Sequence, residues 1–275
     1  MSSTTSMPAP QRSISRSDYL SLMRSLLTRD LAARFRGSLL GWFWLVLTPV
    51  LMLIIFTYVF GVVFEARVPY RAADSNPIEF GVYLFSGMFI FSIFSECFTK
   101  APTLIVSNAS YVKRVVFPVD ALSVVTVAAA YVIGAASFVA LLLAFAIVYG
   151  RVPATAALVP FVALLMAPML LGLSWLLSAV GAFVRDIGQF VGVALSALMF
   201  MSPIFLPIDK LPEFVRTAVM FNPVSTPVEA THILLFKEEL PPAGGLFVYF
   251  VVSIAIMLIG RAVFRALQPG FADVL

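Results

Sequence analysis

The charged pair Arg185 and Asp186 separates two long stretches of the sequence that carry no charge. The 33 residues before it (152–184) and the 22 residues after it (187–208) contain no Asp, Glu, Lys or Arg. Each stretch is long enough to cross a bilayer, since a transmembrane helix needs about 20 mostly apolar residues. A charge left at the bilayer centre costs about 2.5–3.5 kcal/mol on the insertion scale. The pair therefore predicts a tight turn in water between two membrane spans.

The composition of the chain supports a lipid environment. Hydrophobic residues make up 61% of its 275 residues and charged residues 12%, and its mean hydropathy is +1.02. An ordinary globular domain carries about 25% charged residues. Because lipid leaves unpaired backbone polar groups unsatisfied, helices are the spanning structure that this sequence favours. We predict an all-α polytopic membrane protein.

Six apolar stretches are candidate spans, at about 39–63, 80–98, 121–149, 154–183, 187–207 and 246–264. An even number of spans places both termini on one side of the membrane. Twelve of the 18 Lys and Arg residues fall on that side and six on the other. Because cytoplasmic loops carry the excess of Lys and Arg, we expect both termini in the cytoplasm.

Two segments precede the first span. Residues 1–17 are rich in Ser, Thr and Pro and predict a disordered cytoplasmic tail. Residues 18–37 predict a basic amphipathic helix in the membrane interface, because apolar side chains recur at spacings of three and four. These side chains are Leu20, Met23, Leu27, Leu31 and Phe35. A simple polybasic anchor explains the same pattern equally well.

The segment between spans two and three, residues 99–118, is too long for a turn and too polar to insert. Polar residues such as Asn108 and Lys113 are interleaved with apolar ones such as Tyr111 and Phe117. This pattern favours a short amphipathic helix that docks on a soluble partner. A re-entrant or merely interfacial helix is the alternative.

The longest predicted external segment is 208–245, with two short helical patterns on either side of Asn222 and Pro223. It fits either a pair of helices that cover a pathway or an ordered loop with no gating role. Within the fifth span, a small residue recurs every four positions, which favours close helix contact across a dimer axis or within the chain. These small residues are Gly188, Gly192 and Ser196.

The sequence lacks the short motifs of several chemistries, with no G-x-x-x-x-G-K-[ST] phosphate loop, no H-E-x-x-H and no G-x-S-x-G. Its single cysteine excludes an intramolecular disulfide, and its single histidine argues against a multi-histidine metal site. Apart from Glu96 and Asp120 near helix ends, no acid falls within a predicted span, which disfavours ion-coupled transport. We expect no catalytic, cofactor or metal site here and an energy source on another chain.

Four stretches, in order along the chain, resemble one family of transport proteins. They are LLTRDLAARFRGSLLGWFWLVLTPVLMLIIFTYVFGVVF (26–64), SNASYVKRVVFPVD (107–120), GAFVRDIGQFVGV (181–193) and MSPIFLPIDKLPEFVRTAVMFNPVSTPVEA (201–230). The ordered set resembles the membrane-spanning subunit of type-2 ABC exporters for cell-surface polysaccharide, which include O-antigen, capsular polysaccharide and teichoic acid permeases. The resemblance covers nearly the whole chain after residue 18.

The resemblance implies a homodimer in the bacterial inner (plasma) membrane, each subunit with a six-helix transmembrane domain over 38–275. It further implies two copies of a cytoplasmic ABC ATPase, which carries ATP and Mg, a lipid-linked glycan as substrate, and no nucleic acid. The interface helix is implied at 18–37, the coupling helix at 101–116 and external gate helices at 208–236.

The same resemblance implies roles for particular residues of this sequence. Coupling to the ATPase is implied for Asn108, Tyr111, Lys113, Arg114, Phe117, Arg185 and Asp186. Channel lining is implied for Trp42, Trp44, Tyr58 and Phe200. The external gate is implied for Phe214, Met220, Phe221, Asn222 and Pro223.

The expected function is ATP-driven export of lipid-linked polysaccharide, of the O-antigen or capsular type, by a subunit that is not itself an enzyme. One alternative is a type-2 ABC exporter of a drug or another lipid. Others are an integral membrane transferase and a scaffold that anchors other proteins. A transferase is expected to cluster acids or histidines at one membrane face, and this sequence does not.

Overall fold

The computed structural model describes residues 16–70, 76–113, 117–184, 186–208 and 212–274. Most of the predicted N-terminal tail lies outside the described residues, as do the predicted coupling residues Arg114 and Arg185. The described residues form thirteen α-helices, with no β-strand among them. Their bounds are α1 (Arg16–Phe35), α2 (Trp44–Phe56), α3 (Pro77–Lys100), α4 (Leu104–Ser107), α5 (Ala109–Val112), α6 (Ala121–Tyr149), α7 (Val159–Leu165), α8 (Ala167–Phe183), α9 (Ile187–Phe200), α10 (Glu213–Met220), α11 (Ser225–His232), α12 (Ala243–Leu267) and α13 (Phe271–Val274).

Short 3₁₀ or π segments extend several of these helices into longer continuous stretches. Five stretches are long and apolar enough to cross a bilayer: Gly41–Val63, Ile78–Ser107, Ala121–Tyr149, Ala154–Phe183 and Ala243–Val274. They correspond to the first four predicted spans and the sixth. The second is longer than predicted because the segment Ala101–Thr103 and α4 continue the helical path of α3 to Ser107.

The fifth predicted span, 187–207, is not confirmed as a spanning helix. It contains α9, which has 14 residues. At about 1.5 Å per residue, α9 is about 21 Å long and shorter than the roughly 30 Å of hydrocarbon in a bilayer. Turns follow it over 201–208, where Pro203 and Pro207 lack the backbone N–H that a continuing helix needs.

Helix α3 forms the centre of the bundle. Its residues Tyr83, Ile90 and Phe94 are 0% exposed, and it contacts α2, α6, α8, α9 and α11. The helix is capped at Asn76, whose side-chain oxygen accepts a hydrogen bond from Ile78 N at 3.2 Å.

Helices α8 and α12 pack closely through facing glycines. A Cβ built on Gly260 would lie 2.0 Å from the backbone O of Gly172, and one built on Gly172 would lie 2.5 Å from Ile256 O. In lipid, helices associate through packing rather than through exclusion from water, and small residues allow their backbones to approach. These two glycines therefore fix α12 against α8.

Both ends of the described chain lie at one end of the bundle. Phe271 of α13 packs on Phe264 and on Phe183, with ring centroids 5.3 Å and 6.0 Å apart. Helix α1 packs against α6, whose N-terminal residue Ala121 lies at the same end. We call this the α1 end and the other the opposite end.

Helix α11 lies within the bundle. Its residues Val228 and His232 are fully buried, and it packs against α3 and α7. The His232 ring stacks on Tyr83 of α3, with centroids 4.1 Å apart. The second of the two short helical patterns predicted around Asn222 and Pro223 is therefore present as a helix, and it forms part of the core.

Candidate functional site

Four charged side chains join α1 to the end of α3. Arg34 pairs with Glu96, Lys100 Nζ lies 3.0 Å from Asp30 Oδ2, and Lys100 Nζ also lies 3.5 Å from Glu96 Oε1. The four side chains are 24% to 35% exposed. An isolated exposed ion pair contributes about 0–1 kcal/mol to stability. The arrangement matters more than the energy, because it fixes the position of α1 relative to α3. We call these residues the charge network.

The surroundings of α1 shift two pKa values. Burial lowers the pKa of the Arg34 guanidinium, and the Asp30 carboxylate opposes this shift. Burial also raises the pKa of the Tyr19 hydroxyl, and the Asp120 carboxylate adds to that shift, while Arg261 opposes it. The inner side of α1 is therefore partly desolvated and lies near the start of α6 and the end of α12.

A second set of contacts joins α1 to the segment after α3. Arg29 donates hydrogen bonds to the Tyr111 hydroxyl and, at 3.4 Å, to Asn108 Oδ1. The Arg29 guanidinium also lies 4.7 Å from the centre of the Tyr111 ring, a geometry that contributes about 0.5–1 kcal/mol at an exposed site. Two of the predicted coupling residues thus contact α1 directly.

The segment 101–113 is also held from its inner side. Pro102 is buried against α8, where a Cβ built on Gly181 would lie 2.1 Å from Pro102 O. Only a residue without a Cβ allows this approach. Further along, Asn108 ends α4 and begins α5, and its Nδ2 donates to Leu104 O at 2.9 Å. We call residues 101–113 together with α1 the coupling platform.

The other described residues with a predicted coupling role differ in their surroundings. Phe117 packs on Tyr111, with ring centroids 5.1 Å apart. Lys113 is exposed at the end of α5. Asp186 is exposed before the first turn of α9, where an acidic residue suits the helix dipole. Helix α9 in turn contacts Ala101–Thr103. The structure therefore groups Asn108, Tyr111 and Phe117 around Arg29.

An apolar exposed face contains three of the four residues with a predicted channel role. Trp42, Tyr58 and Phe200 are 54%, 62% and 71% exposed. The ring centroid of Phe205 lies 5.7 Å from that of Phe60 in the first span and 5.8 Å from that of Phe200 in α9. The first span and α9 are thus joined by a series of aromatic contacts. Lipid or another protein surface must cover such a face in a membrane.

Trp44, the fourth predicted channel residue, has different surroundings. It lines a cavity between α2, α3 and α6, together with Arg34 and Glu96 of the charge network. Trp44 is 38% exposed at the mouth of this cavity, whereas Trp42 is 54% exposed and does not line it.

The turn between α10 and α11 is anchored by Asn222. Its Nδ2 donates to Leu198 O of α9 at 2.7 Å, and its Oδ1 accepts from Val224 N at 3.0 Å. The carbonyl of Pro223 accepts a hydrogen bond from the Tyr249 hydroxyl of α12 at 3.0 Å. The Asn-Pro pair thus links α9, α11 and α12 at one point.

The neighbouring residues with a predicted gate role are at the surface. Phe221 is 85% exposed and Met220 is exposed beside it. The side chain of Phe214 lies outside the described part of the structure. Exposed apolar residues next to a firmly bonded turn are consistent with a surface covered by lipid or by a partner.

Sequence reasoning missed the residues on α1 and α3 that form most of the coupling platform's polar contacts: Arg29, Asp30, Arg34, Glu96 and Lys100. A usable signal was present, because Glu96 and Lys100 are four residues apart and face the same side of a helix. Their partners on α1 could not be read from spacing, because they are 62 and 70 residues distant in sequence.

Comparison with known proteins identifies the family. The profile of the ABC-2 type transporter family matches residues 21–236, which include the coupling platform, the exposed face and the Asn-Pro turn. The chain belongs to the ABC-2 type transporter family. It is therefore a multi-pass membrane protein of a transport family, and its bundle is an ABC-2 membrane domain.

Similar proteins within this ABC-2 family carry transport names. The chain is 25% identical over 258 residues to the O-antigen export system permease protein RfbA of Klebsiella pneumoniae, covering 92% of this chain and 95% of that protein. It is 26% identical over 261 residues to RfbA of Myxococcus xanthus, covering 93% and 95%. It is 22% identical over 254 residues to the polysialic acid transport protein KpsM of Escherichia coli, covering 90% and 94%.

The ABC-2 membrane domain described here offers few groups for chemistry. No group of three or more His, Cys, Asp or Glu residues able to hold a metal ion occurs among the residues that the structure describes. The ion pairs between α1 and α3 in the charge network lie at the α1 end, and the pair Arg151–Glu238 lies at the opposite end. Each of these contacts joins two elements of the bundle.

Proposed function

We propose that this chain is the transmembrane subunit of an ATP-driven exporter that moves lipid-linked polysaccharide, of the O-antigen or capsular type, across the inner membrane. One observation carries the proposal: more than nine-tenths of the chain aligns with nearly the full length of the O-antigen export permeases RfbA. The sequence has no phosphate loop of its own, so hydrolysis of ATP with Mg belongs to a separate partner chain.

The coupling platform is the proposed docking surface for two copies of a cytoplasmic ABC ATPase, one on each subunit. It has the properties that a mechanical connection needs. Gly181 and the buried Pro102 hold its inner side rigidly, while Arg29 and the charge network tie α1 to the same elements. Lys113 and Asp186 remain exposed for contact with a partner.

A homodimer is proposed for the assembly, with the exposed face of the first span and α9 turned toward its copy. Trp42, Tyr58 and Phe200 would then border a path between the subunits, where aromatic rings can stack on sugar faces. The small residues of α9 support close approach there, because a Cβ on Gly188 or Gly192 would meet nothing within 4 Å.

Six crossings with both termini in the cytoplasm are proposed for the topology. The chain leaves α8 at the α1 end and enters α12 from the opposite end, so α9 and the turns of 201–208 must together cover the remaining crossing. The α1 end also carries Arg29, Arg34 and Lys100, and an excess of Lys and Arg is typical of the cytoplasmic side.

The Asn-Pro turn is the proposed external gate, and α1 the proposed interface helix. Because Asn222 and Pro223 bond to α9 and α12, a movement of either helix changes the position of α10 and its exposed residues Met220 and Phe221. A path bordered by α9 and closed by α10 would therefore open when the subunits move apart.

The proposal is tested in a bacterial strain that lacks the gene for this chain. Such a strain still synthesises the surface polysaccharide and keeps it inside the cell. Restoring this chain together with the ABC ATPase of the same locus is expected to restore polysaccharide on the surface, measured by antibody labelling of intact cells. An ATPase variant without its catalytic glutamate is the matched control. Restored export of a drug or phospholipid with unchanged surface glycan would contradict the proposal.

A further inference from the structure

A cavity of about 620 Å³ lies between α2, α3 and α6, within the size range of about 300–1,000 Å³ that is usual for small-molecule sites. Its wall is mostly apolar and includes the aromatic residues Trp44, Phe56, Phe85 and Phe89. It also carries four hydroxyl side chains, those of Thr48, Ser92, Ser95 and Ser137. At one end it reaches the charge network at Arg34 and Glu96. The cavity is therefore amphiphilic, with a polar end and a long apolar body.

The length of the cavity matches one leaflet of a bilayer. Along α3 its wall runs from Glu96 to Phe85, and along α2 from Trp44 to Phe56. At about 1.5 Å per helical residue these distances are about 16 Å and about 18 Å, close to half of the roughly 30 Å hydrocarbon core. The polar end lies at the α1 end of the bundle, where membrane meets water.

The cavity opens to the outside along α2. Trp44, Thr48 and Met52 recur every four residues, line the cavity, and are all exposed. They therefore border an opening that follows the helix axis. A lipid chain can enter sideways through such an opening without leaving the hydrocarbon phase.

We expect the cavity to be neither empty nor filled with water. The hydroxyls of Ser92, Ser95 and Ser137 already donate to carbonyls of their own helices. The wall therefore gives water few of the two to four polar partners that it needs, and an empty space of this size forfeits the dispersion contacts of its lining. Hydrocarbon is the solvent outside the opening. A hydrocarbon chain is therefore the occupant that restores these contacts.

The polar end offers one hydrogen-bond donor that is still available. Arg34 binds Glu96 through its Nη2 atom, and among the described residues no atom accepts a hydrogen bond from its buried Nε. An arginine presents its N–H groups in a planar fork that suits phosphate oxygens. Trp44 lies at the same end, and tryptophan is enriched at the level of lipid headgroups.

We propose that this cavity binds one phospholipid from the leaflet at the α1 end, with an acyl chain between α2, α3 and α6 and the phosphate at Arg34 Nε. The bound lipid completes the packing of α2, the least buried span. It also lies against the charge network that positions α1. This site is separate from the proposed path of the glycan on the outer face of α2 and α9, and it does not depend on which solute is exported.

Native mass spectrometry of the purified full-length protein in detergent, with phosphatidylglycerol added, tests the proposal. One retained lipid per chain is expected. Arg34→Gln removes the donor and is expected to lower retention about tenfold, the value of a charge-assisted hydrogen bond. Arg36→Gln is its matched control, because Arg36 is exposed, lies two residues away and does not line the cavity.

A second variant tests the apolar body. Ser92→Phe places a ring in the cavity and is expected to abolish retention, together with the rise in thermal unfolding temperature that the lipid gives the unmodified protein. Val139→Phe, at an exposed position of α6 outside the cavity, is expected to retain the lipid. Both readouts are compared in variants that unfold cooperatively, so loss of fold is distinguished from loss of the site.

Two ligand controls complete the test. Inorganic phosphate is expected not to raise the unfolding temperature, because the acyl chain contributes most of the contacts. Polyprenyl phosphate is expected to bind more weakly than phosphatidylglycerol. Retention of phosphatidylglycerol that is unchanged in folded Ser92→Phe and Arg34→Gln would overturn the proposal, as would retention of the polyprenyl phosphate alone.

Discussion

The first two spans are both apolar enough to cross a bilayer, and they have opposite environments. In the most apolar 18 residues of each stretch, 72% of the residues of the second span are buried and 6% of those of the first. Helix α3 contacts five other helices of the bundle, whereas Trp42 and Tyr58 of the first span are exposed. Hydrophobicity therefore identifies both stretches as spans, but it does not show which one is buried in the bundle and which one is exposed.

The difference follows from the physics of lipid. Because lipid tails are as apolar as leucine, an exposed span has no hydrophobic penalty, and burial depends on shape and packing. Helix α3 has aromatic residues that interlock with α11 and α6, as in the stack of Tyr83 on His232 and the contact of Phe89 with Phe138. The second span is thus the more deeply packed element, and its helical path continues into Ala101–Thr103 of the coupling platform.

The largest effect is expected where that helical path meets α8. Gly181→Val places side-chain atoms against Pro102 O, which a Cβ would approach to 2.1 Å. The coupling platform must shift, and a shift of about 1 Å in a working assembly can cost about 100-fold in rate. Export, measured as surface polysaccharide per unit of membrane-inserted protein, is expected to fall by about that factor.

The control for this prediction is Gly245→Val. Gly245 lies in the first turn of α12, and a Cβ there would meet nothing within 4 Å. Export by this variant is expected to stay within about twofold of the unmodified chain, since surface changes of this kind are usually small. Full export by Gly181→Val would show that the platform does not need its fixed position.

A smaller effect is expected in the core of α3. Phe94→Ala removes a ring that is 0% exposed. Large-to-small core substitutions cost about 2–5 kcal/mol in water-soluble proteins. The helix stays in lipid after unfolding, where the transfer part of that cost is absent, so about 2 kcal/mol of unfolding free energy is expected. The measurement is SDS unfolding in mixed micelles.

The same substitution in the first span is the matched control. Phe43, in the helical turn that begins this span, is 57% exposed, and Phe43→Ala is expected to change the unfolding free energy by less than about 0.5 kcal/mol. Equal losses in the two variants would show that the first span is as firmly packed as the second.

The contrast between the spans was only partly visible in the sequence. Uncharged runs located the five long stretches, because the cost of charge in lipid acts on each segment by itself. Two of the predicted ends, at residues 98 and 264, fall nine and ten residues before the observed ends Ser107 and Val274. Burial depends on partners distant in sequence: Asp30 and Lys100 meet across 70 residues. The early end of α9 had a local signal in Pro203 and Pro207, which the continuous apolar pattern outweighed.

For the candidate site too, the sequence indicated individual residues but not the partners that the fold brings to them. The sequence indicated Asn108 as a polar residue among apolar ones, and Asn222 as the point between two helical patterns. Their partners Arg29 and Leu198 O are fixed by the fold, so spacing could not supply them. The burial of α11 was also hidden, since its sequence mixes polar and small residues and has no strong apolar side.

A pH effect of intermediate size is expected where α11 packs on α3. Burial lowers the pKa of His232 to about 3, below its ordinary value of about 6.5. The folded state therefore keeps a neutral ring while the unfolded state gains a proton below pH 6.5. Stability is complete above that pH and falls as the pH drops toward 3, by about 1 kcal/mol at pH 5.5.

His232→Phe isolates this contribution. A phenyl ring preserves the stacking on Tyr83 and carries no titrating group. The difference in unfolding free energy between pH 7.5 and pH 5.5 is therefore expected to be about 1 kcal/mol smaller than in the unmodified protein. SDS unfolding at the two pH values measures it. Identical pH dependence in the two proteins would mean that the ring reaches water in the folded state.

Substitutions on the exposed side of the first span are expected to have the smallest effect, and to change the rate of export but not the stability of the protein. Trp42→Ala with Tyr58→Ala removes two rings from the proposed path of the glycan. Loss of two aromatic contacts of about 0.5 kcal/mol each, about 1 kcal/mol together, corresponds to about fivefold in rate. Export of long chains is therefore expected to fall about fivefold while the unfolding free energy stays within about 0.5 kcal/mol.

Phe161→Ala, at an exposed position of α7, is the control, and export of polysaccharide by this variant is expected to be unchanged. If the double variant exports normally and Phe161→Ala does not, the path lies against α7, and the exposed side of the first span faces lipid.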